Sequence, residues 1–208
     1  MMWESQDIKV FLSEIAAVMR DNKDRLIELD SVMGDGDLGL TMSDGFTAAA
    51  NAISPSEETD LGKLLYAAGK AMSSAVPSSM GTLMASGLMS AGKALKGKTQ
   101  ADHAGIAAIL RGWYDGVLKL GKAQPGEKTF LDGLLPAVEA LETGAGEENF
   151  AAVITRAHDA AKTGAQSTVG MLAKHGRAAI RGEESRKLLD PGAVVASLIL
   201  EAMERRPA

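Results

Sequence analysis

Asp30, Asp35 and Asp37 sit among Gly34, Gly36 and Gly39, so three carboxylates can be drawn toward one point by a backbone free to fold tightly. Left alone, such a cluster repels itself. A hard divalent cation relieves that repulsion, and magnesium prefers oxygen ligands, usually a few carboxylates with water and phosphate oxygens. The plainer reading is a turn, because aspartate and glycine are common turn formers. On the residues alone both readings stand. An EF-hand does not fit, since calcium there needs oxygen ligands at loop positions 1, 3 and 5 and a glutamate at 12. A carboxylate-bridged di-iron bundle is a poor fit too: none of His103, His158 and His175 has a glutamate three residues earlier. Those histidines read as solvated surface or ordinary packing.

Two further loops carry chemistry-bearing residues. Ser78-Ser79-Met80-Gly81-Thr82 can open a helix whose free backbone N–H groups face a phosphate, although small residues before a helix also serve as caps or packing surface. No P-loop lysine motif is present and no strand precedes this stretch, which sets a Walker-type NTPase aside. Lys174, Arg177 and Arg181 lie in or beside the loop Gly176 to Leu189, where they either neutralise phosphates or form a solvated basic surface. Asp190, before Pro191 and Gly192, is fully explained as a helix N-cap.

The elements that must position these loops are helical. Ile8, Phe11, Leu12, Ile15, Val18 and Met19 recur at helical spacing, and a shorter helix spans about Lys23 to Val32. Further helices are expected from near Thr41 to Ile53, from the Asp60 cap through Met72, over Ser78 to Leu95, and from Asp102 to Leu120. Thr129 with Asp132 gives a capping-box-like start to the next, which ends near Thr143. One from Glu148 to Gly164, continuing toward Leu172, precedes a polar, basic loop and the last helix after Asp190. Strand-like alternation is nowhere sustained. The expectation is an all-α fold, a single domain over 1–208, with about eight helices and function concentrated in the loops at their ends.

Composition limits the partners. The 208 residues are 46% hydrophobic and 24% charged, as in ordinary globular proteins, which argues against disorder. A net charge of −5 without a long basic run argues against nucleic-acid and anionic-membrane binding. There is no cysteine, hence neither a disulfide nor a thiolate metal site. The N-terminus lacks the basic-then-apolar order of a signal peptide, and no stretch approaches the roughly 20 apolar residues of a membrane span, so the protein is expected to be cytoplasmic.

Four blocks in order carry a family resemblance. They are Leu29-Asp30 with Gly34-Asp35-Gly36-Asp37-Leu38-Gly39 and Met42; Gly121 to Thr129; Ala165-Gln166-Ser167-Thr168 with Lys174-His175-Gly176-Arg177-Ala178; and Gly182-Glu183 with Asp190-Pro191-Gly192-Ala193. Through them the chain resembles, along nearly its whole length, the nucleotide-binding L subunit of the dihydroxyacetone kinases. The resemblance implies a barrel of eight antiparallel helices with ADP or ATP at one end. It implies that Asp30, Asp35 and Asp37 coordinate two magnesium ions. It also implies nucleotide contacts at Leu38, Gly39, Leu40, Thr41, Ser79, Met80, Gly121, Phe130, Arg177, Asp190, Pro191 and Gly192. In that family a histidine of a separate K-type subunit holds the ketose covalently, a role that falls to no histidine of this chain. The phosphoryl source is either an exchanging ATP or an M-type phosphohistidine protein of the phosphotransferase system.

Two departures bear on the donor. Leu38 stands where the family commonly has histidine, and Pro77-Ser78-Ser79-Met80-Gly81 stands where it has Gly-Gly-Ala-Ser-Gly. Pro77 has no N–H to donate and Met80 no hydroxyl, so nucleotide affinity and phosphoryl source are left open, and a four-carbon ketose such as erythrulose joins dihydroxyacetone as a substrate. Fatty-acid kinases carry a similar nucleotide domain at the start of a longer polypeptide. Because this sequence ends at Ala208, soon after its last helix, the stand-alone subunit is the favoured expectation. A non-catalytic nucleotide-binding module is the remaining alternative. The oligomeric state, a homodimer included, is open.

Overall fold

A computed structural model describes residues 1–206. Its helices are α1 (Ser5–Asp21), α2 (Lys23–Met33), α3 (Leu38–Ile53), α4 (Leu61–Ala75), α5 (Ser79–Ala94), α6 (His103–Gly121), α7 (Phe130–Gly144), α8 (Phe150–Ser167) and α9 (Pro191–Arg205), with a 3₁₀ helix at Arg177–Lys187. The apolar stripe read from the first segment is buried in full, from Ile8 to Met19. Burial of each such Leu, Ile or Phe side chain contributes about 1.5–3 kcal/mol, which is what holds these otherwise marginal helices. Local chemistry sets where they start. Asp60, Ser78, Asp102, Asn149 and Asp190 each accept an N–H from the first turn of the helix that follows, and Thr129 with Asp132 forms a complete capping box.

The helices close a ring. α1 packs on α3, then α4, α5, α6, α7, α8 and α9 follow in sequence, and α9 returns to α1; α2 lies outside against α3. Directions alternate around it. At one end the N-termini of α1, α4, α6 and α8 meet: Trp3 pairs with Ala101 in an isolated antiparallel bridge, Leu61 donates its N–H to Lys98 O at 2.8 Å, and the His103 and Phe150 rings stack at 4.2 Å. At the other end the N-termini of α3, α5, α7 and α9 line one open cleft. The eight ring helices are therefore antiparallel neighbours, as the resemblance implies, and α2 is an addition that returns the chain from α1 to α3.

Close helix contacts fix the cleft. A β-carbon on Gly133 would meet the Ala193 carbonyl at 2.5 Å, so α7 and α9 approach to backbone range only because this residue has no side chain. A larger residue there would force apart the two helix starts that border the cleft.

The structure corrects two expectations. α8 stops at Ser167 and does not run toward Leu172: the Thr168 hydroxyl donates to Ala165 O at 2.7 Å, and Gly170 takes φ 96°, which no helix continues. The segment after Gly176 is not an open loop but 3₁₀ turns, broken at Gly182 with φ 55°. Its lack of apolar periodicity hid the turns, since short 3₁₀ runs need none. Among the described residues, no helix is long and apolar enough to cross a membrane.

Candidate functional site

The acidic turn is built by its own first member. Asp30 lies in the last turn of α2 and its Oδ2 accepts the N–H groups of Gly36 at 2.9 Å and Leu38 at 3.3 Å. That folds the chain back on itself, and Gly36 at φ 77° occupies the left-handed conformation the fold requires. Asp37 becomes the N-cap of α3, yet its side chain makes no capping bond. One carboxylate oxygen from each of Asp30, Asp35 and Asp37 lies within 4.8 Å of the others. Burial, then repulsion from Asp35 and Asp30, holds the Asp37 carboxyl above its usual pKa, with Arg177 opposing. Arg177 reaches across from the 3₁₀ helix and pairs with Asp35 at 2.8 Å. A single guanidinium cannot balance three carboxylates. The cluster therefore fits divalent cations by donor type, spacing and unpaid charge, as magnesium's preference for carboxylate oxygen requires.

The turn opens into a cleft of about 760 Å³, within the range of small-molecule sites. Its walls include Leu38, Ser79, Met80, Gly121, Phe130, Arg177, Asp190, Pro191 and Gly192 together with the three aspartates. Residues from five separated stretches of sequence thus share one surface. Gly39, Leu40 and Thr41 do not line it. Gly39 faces α2, where a β-carbon would meet Lys23 O at 2.2 Å; Leu40 is exposed; and Thr41 is buried with its N–H on Asp37 O at 2.9 Å. What this turn can offer a ligand is the N–H groups of Gly39 and Leu40, since that of Leu38 is taken by Asp30 and that of Thr41 by Asp37. Lys174 pairs with Glu127 at 3.3 Å, and neither it nor Arg181 is part of the wall.

Electrostatically, the cleft combines opposite features. Four helix N-termini bring partial positive charge and unpaired N–H groups, which favours an anion. The acidic turn beside them favours cations. A polyphosphate chelating magnesium satisfies both at once, whereas neither a bare anion nor a bare metal does.

The opposite wall is internally satisfied. Asp190 is buried; its Oδ1 caps α9 by accepting Ala193 N–H at 2.7 Å, and its own N–H goes to Thr168 Oγ1 at 3.0 Å. Burial pushes its carboxyl up to about 7, against the pull of the Ala193 N–H and of Lys128. Asp132 takes the N–H of Thr129 at 2.7 Å and of Gly126 at 2.5 Å. Glu127 is held down to about 2 by the Gln124 backbone N–H and by His175, whose Nε2 lies 2.5 Å away.

Sequence reasoning missed two wall residues. His175 was read as surface or packing and instead lines the cleft. Lys128 was only one member of a longer block, yet it is 2% exposed, has φ 64°, and also lines the cleft. A positive φ at lysine has no strong sequence signal.

With this geometry in hand, comparison with known proteins is specific. Residues 32–205 match the family model described as the DAK2 domain. The chain is 33% identical over 204 residues to the PEP-dependent dihydroxyacetone kinase 2, ADP-binding subunit DhaL, of Listeria innocua, covering 93% of each chain. It is 35% identical over 206 residues to the L-erythrulose 1-kinase of Mycolicibacterium smegmatis, covering 96% of this chain but only 35% of that protein's length. Among solved structures, the native dihydroxyacetone kinase of C. freundii superposes with a TM-score of 0.75 at 23% identity, over 96% of this chain and 34% of that one. The same kinase has been solved in complex with AMP-PNP and Mg2+, with a TM-score of 0.73 at 24% identity. At that identity the likeness establishes the all-helical fold.

Proposed function

Because the chain belongs to the DAK2 domain family, we propose that it is the nucleotide-binding part of a ketose kinase: it holds magnesium-bound ADP or ATP and presents a phosphoryl group to a ketose carried by a separate K-type subunit. The observation that carries this reading is the gathering of Asp30, Asp35 and Asp37 within 4.8 Å at a cleft where four helix N-termini converge. Relatives support the substrate class, since they are named as dihydroxyacetone and erythrulose kinases. The ketose is dihydroxyacetone or its four-carbon neighbour erythrulose.

In this reading the three aspartates hold a pair of magnesium ions. Bound there, magnesium neutralises phosphate oxygens and stabilises the charge that spreads over them during transfer. The first-turn N–H groups of α3 and α5 face the phosphates. Arg177, which pairs with Asp35, would be free to bond a phosphate oxygen where a cation took that carboxylate, a contact its guanidinium suits. Phe130, Pro191 and Gly192 enclose the adenosine, and Asp190 fixes the start of α9 beneath it. The cell compartment of this reading is the cytoplasm, and the phosphoryl source is ATP or an M-type phosphohistidine protein.

The test mixes the chain with a K-type partner, magnesium, ATP and either ketose. Ketose phosphate formed only when both proteins are present is the expected result. Tight nucleotide binding without transfer to either ketose, from ATP or from a phosphohistidine donor, would replace the kinase reading with a non-catalytic nucleotide-binding module.

A further inference from the structure

Lys128 combines two costs on one residue. Its side chain is almost fully buried, at 2% exposure, and its backbone is in the left-handed region at φ 64°. A buried ammonium is expensive unless it is compensated. Here the compensation is neutral: Nζ donates to Thr168 O at 2.5 Å and to Leu188 O at 2.5 Å. These acceptors are 40 and 60 residues away in sequence. One lies just past the end of α8 and the other three residues before α9. No carboxylate bonds the ammonium directly; Asp190 and Asp132 act on it only through space.

A lysine in a glycine-rich loop at a nucleotide cleft invites assignment as a phosphate ligand. Its surroundings argue otherwise. Its ammonium is turned to the Thr168 and Leu188 carbonyls, whereas the cation paired at the acidic turn is Arg177, 2.8 Å from Asp35. Lys128 instead completes a knot. The Thr168 carbonyl receives Nζ, the Thr168 hydroxyl receives the Asp190 N–H at 3.0 Å, and Asp190 caps α9 through Ala193 at 2.7 Å. Thr168 itself is 0% exposed. The long connection between α8 and α9, which must deliver Asp190, Pro191 and Gly192 to the wall, is tied near the start of α7 at its middle by the Lys174 and His175 contacts with Glu127, and at its two ends, Thr168 and Leu188, by this ammonium.

We propose that Lys128 is a positioning residue for the nucleoside half of the ligand: by clamping the Thr168 and Leu188 carbonyls it fixes the wall formed by Asp190, Pro191 and Gly192, without touching phosphate. This rests on the nucleotide reading above, and the test separates the two. Binding of adenosine and of ADP with magnesium is measured for the unaltered chain, Lys128→Met and Thr168→Val, and Mn2+ binding alone is measured in parallel. Failure of the unaltered chain to bind ADP would sink the nucleotide reading itself. If it binds, Lys128→Met is expected to weaken adenosine and ADP by the same factor, about tenfold or more, as the loss of partners for buried carbonyls implies. Mn2+ binding is expected to stay unchanged. Thr168→Val opens the knot from its other side and should reproduce the pattern. Weakening of ADP with adenosine untouched would make Lys128 a phosphate ligand and overturn the proposal. So would unchanged affinity with only a lower melting temperature, the mark of a purely structural lysine. The unaltered chain gives a readout that needs no variant to fold: adenosine should slow amide exchange across 188–193, and unchanged exchange there would equally overturn it.

Discussion

At the far end of the barrel the N-termini of α1, α4, α6 and α8 converge much as those of α3, α5, α7 and α9 do at the cleft, but there every capping group is already engaged. Asp60 accepts from Lys63 and Gly97 at 3.1 and 3.0 Å, Asp102 from Gly105 at 2.9 Å, and Asp7 from the Glu4 N–H at 2.7 Å. The Trp3–Ala101 bridge and the His103–Phe150 stack close what remains. At the cleft, Asp37 caps α3 without a side-chain bond, and two more carboxylates stand beside it. Helix polarity is therefore common to both ends. What distinguishes the cleft is charge that the fold does not satisfy, and such charge marks where a ligand is needed to complete the balance.

Four substitutions probe this contrast. The largest effect is expected from Asp35→Asn, which should weaken magnesium-dependent ADP binding by about a hundredfold or more, measured by calorimetry, since even groups behind metal ligands are worth tenfold or more. Its melting temperature should hold or rise, because one of three repelling carboxylates is gone. A clear fall in stability would mean the triad is structural.

Next is Asp190, on the wall the fold does satisfy. Its carboxyl is raised from 3.8 to about 7 in the folded chain. The folded state therefore binds the proton more tightly, giving stability fully present below the unfolded value and lost as pH climbs toward 7. Asp190→Asn should flatten this part of the melting-temperature profile between about pH 4 and 7, a change of several degrees. Parallel profiles for the two proteins would show that Asp190 does not titrate there.

At the far end, Asp102→Ala should cost about 1 kcal/mol through the lost cap and leave ADP affinity untouched, read by thermal denaturation and calorimetry. Coupled loss of ADP binding would blur the division between the ends. The smallest stability effect belongs to Arg177→Ala. Its pair with Asp35 has an arginine side chain 67% exposed, so unfolding free energy should change by less than about 0.5 kcal/mol. ADP affinity should still fall several-fold as a phosphate contact is lost.

These same regions separate what the sequence discloses from what it hides. The acidic turn was legible because Asp30, Asp35 and Asp37 act within a span of a few residues and glycine announces the turn. The caps at Asp60, Thr129 with Asp132, and Asp190 were legible for the same reason: each bonds a backbone N–H two or three residues on. The eight-helix ring followed from apolar periodicity together with the family resemblance. Lys128 and His175 were not legible in their roles, since the carbonyls and the carboxylate they bond arrive from 40 to 60 residues away. The 3₁₀ turns of 177–187 were hidden by a polar composition that carries no stripe, and the expected continuation of α8 toward Leu172 overran its end at Ser167, just before Gly170 takes its positive φ.

The central claim is that nucleotide and divalent cations complete one another's charge at the three aspartates. Electron paramagnetic resonance of Mn2+ titrated into the full chain, with and without ADP, tests it directly. The account predicts weak Mn2+ binding to the chain alone, a pair of tightly held ions per bound ADP, and negligible ADP binding once the metal is chelated. ADP binding that persists undiminished in excess chelator would contradict it.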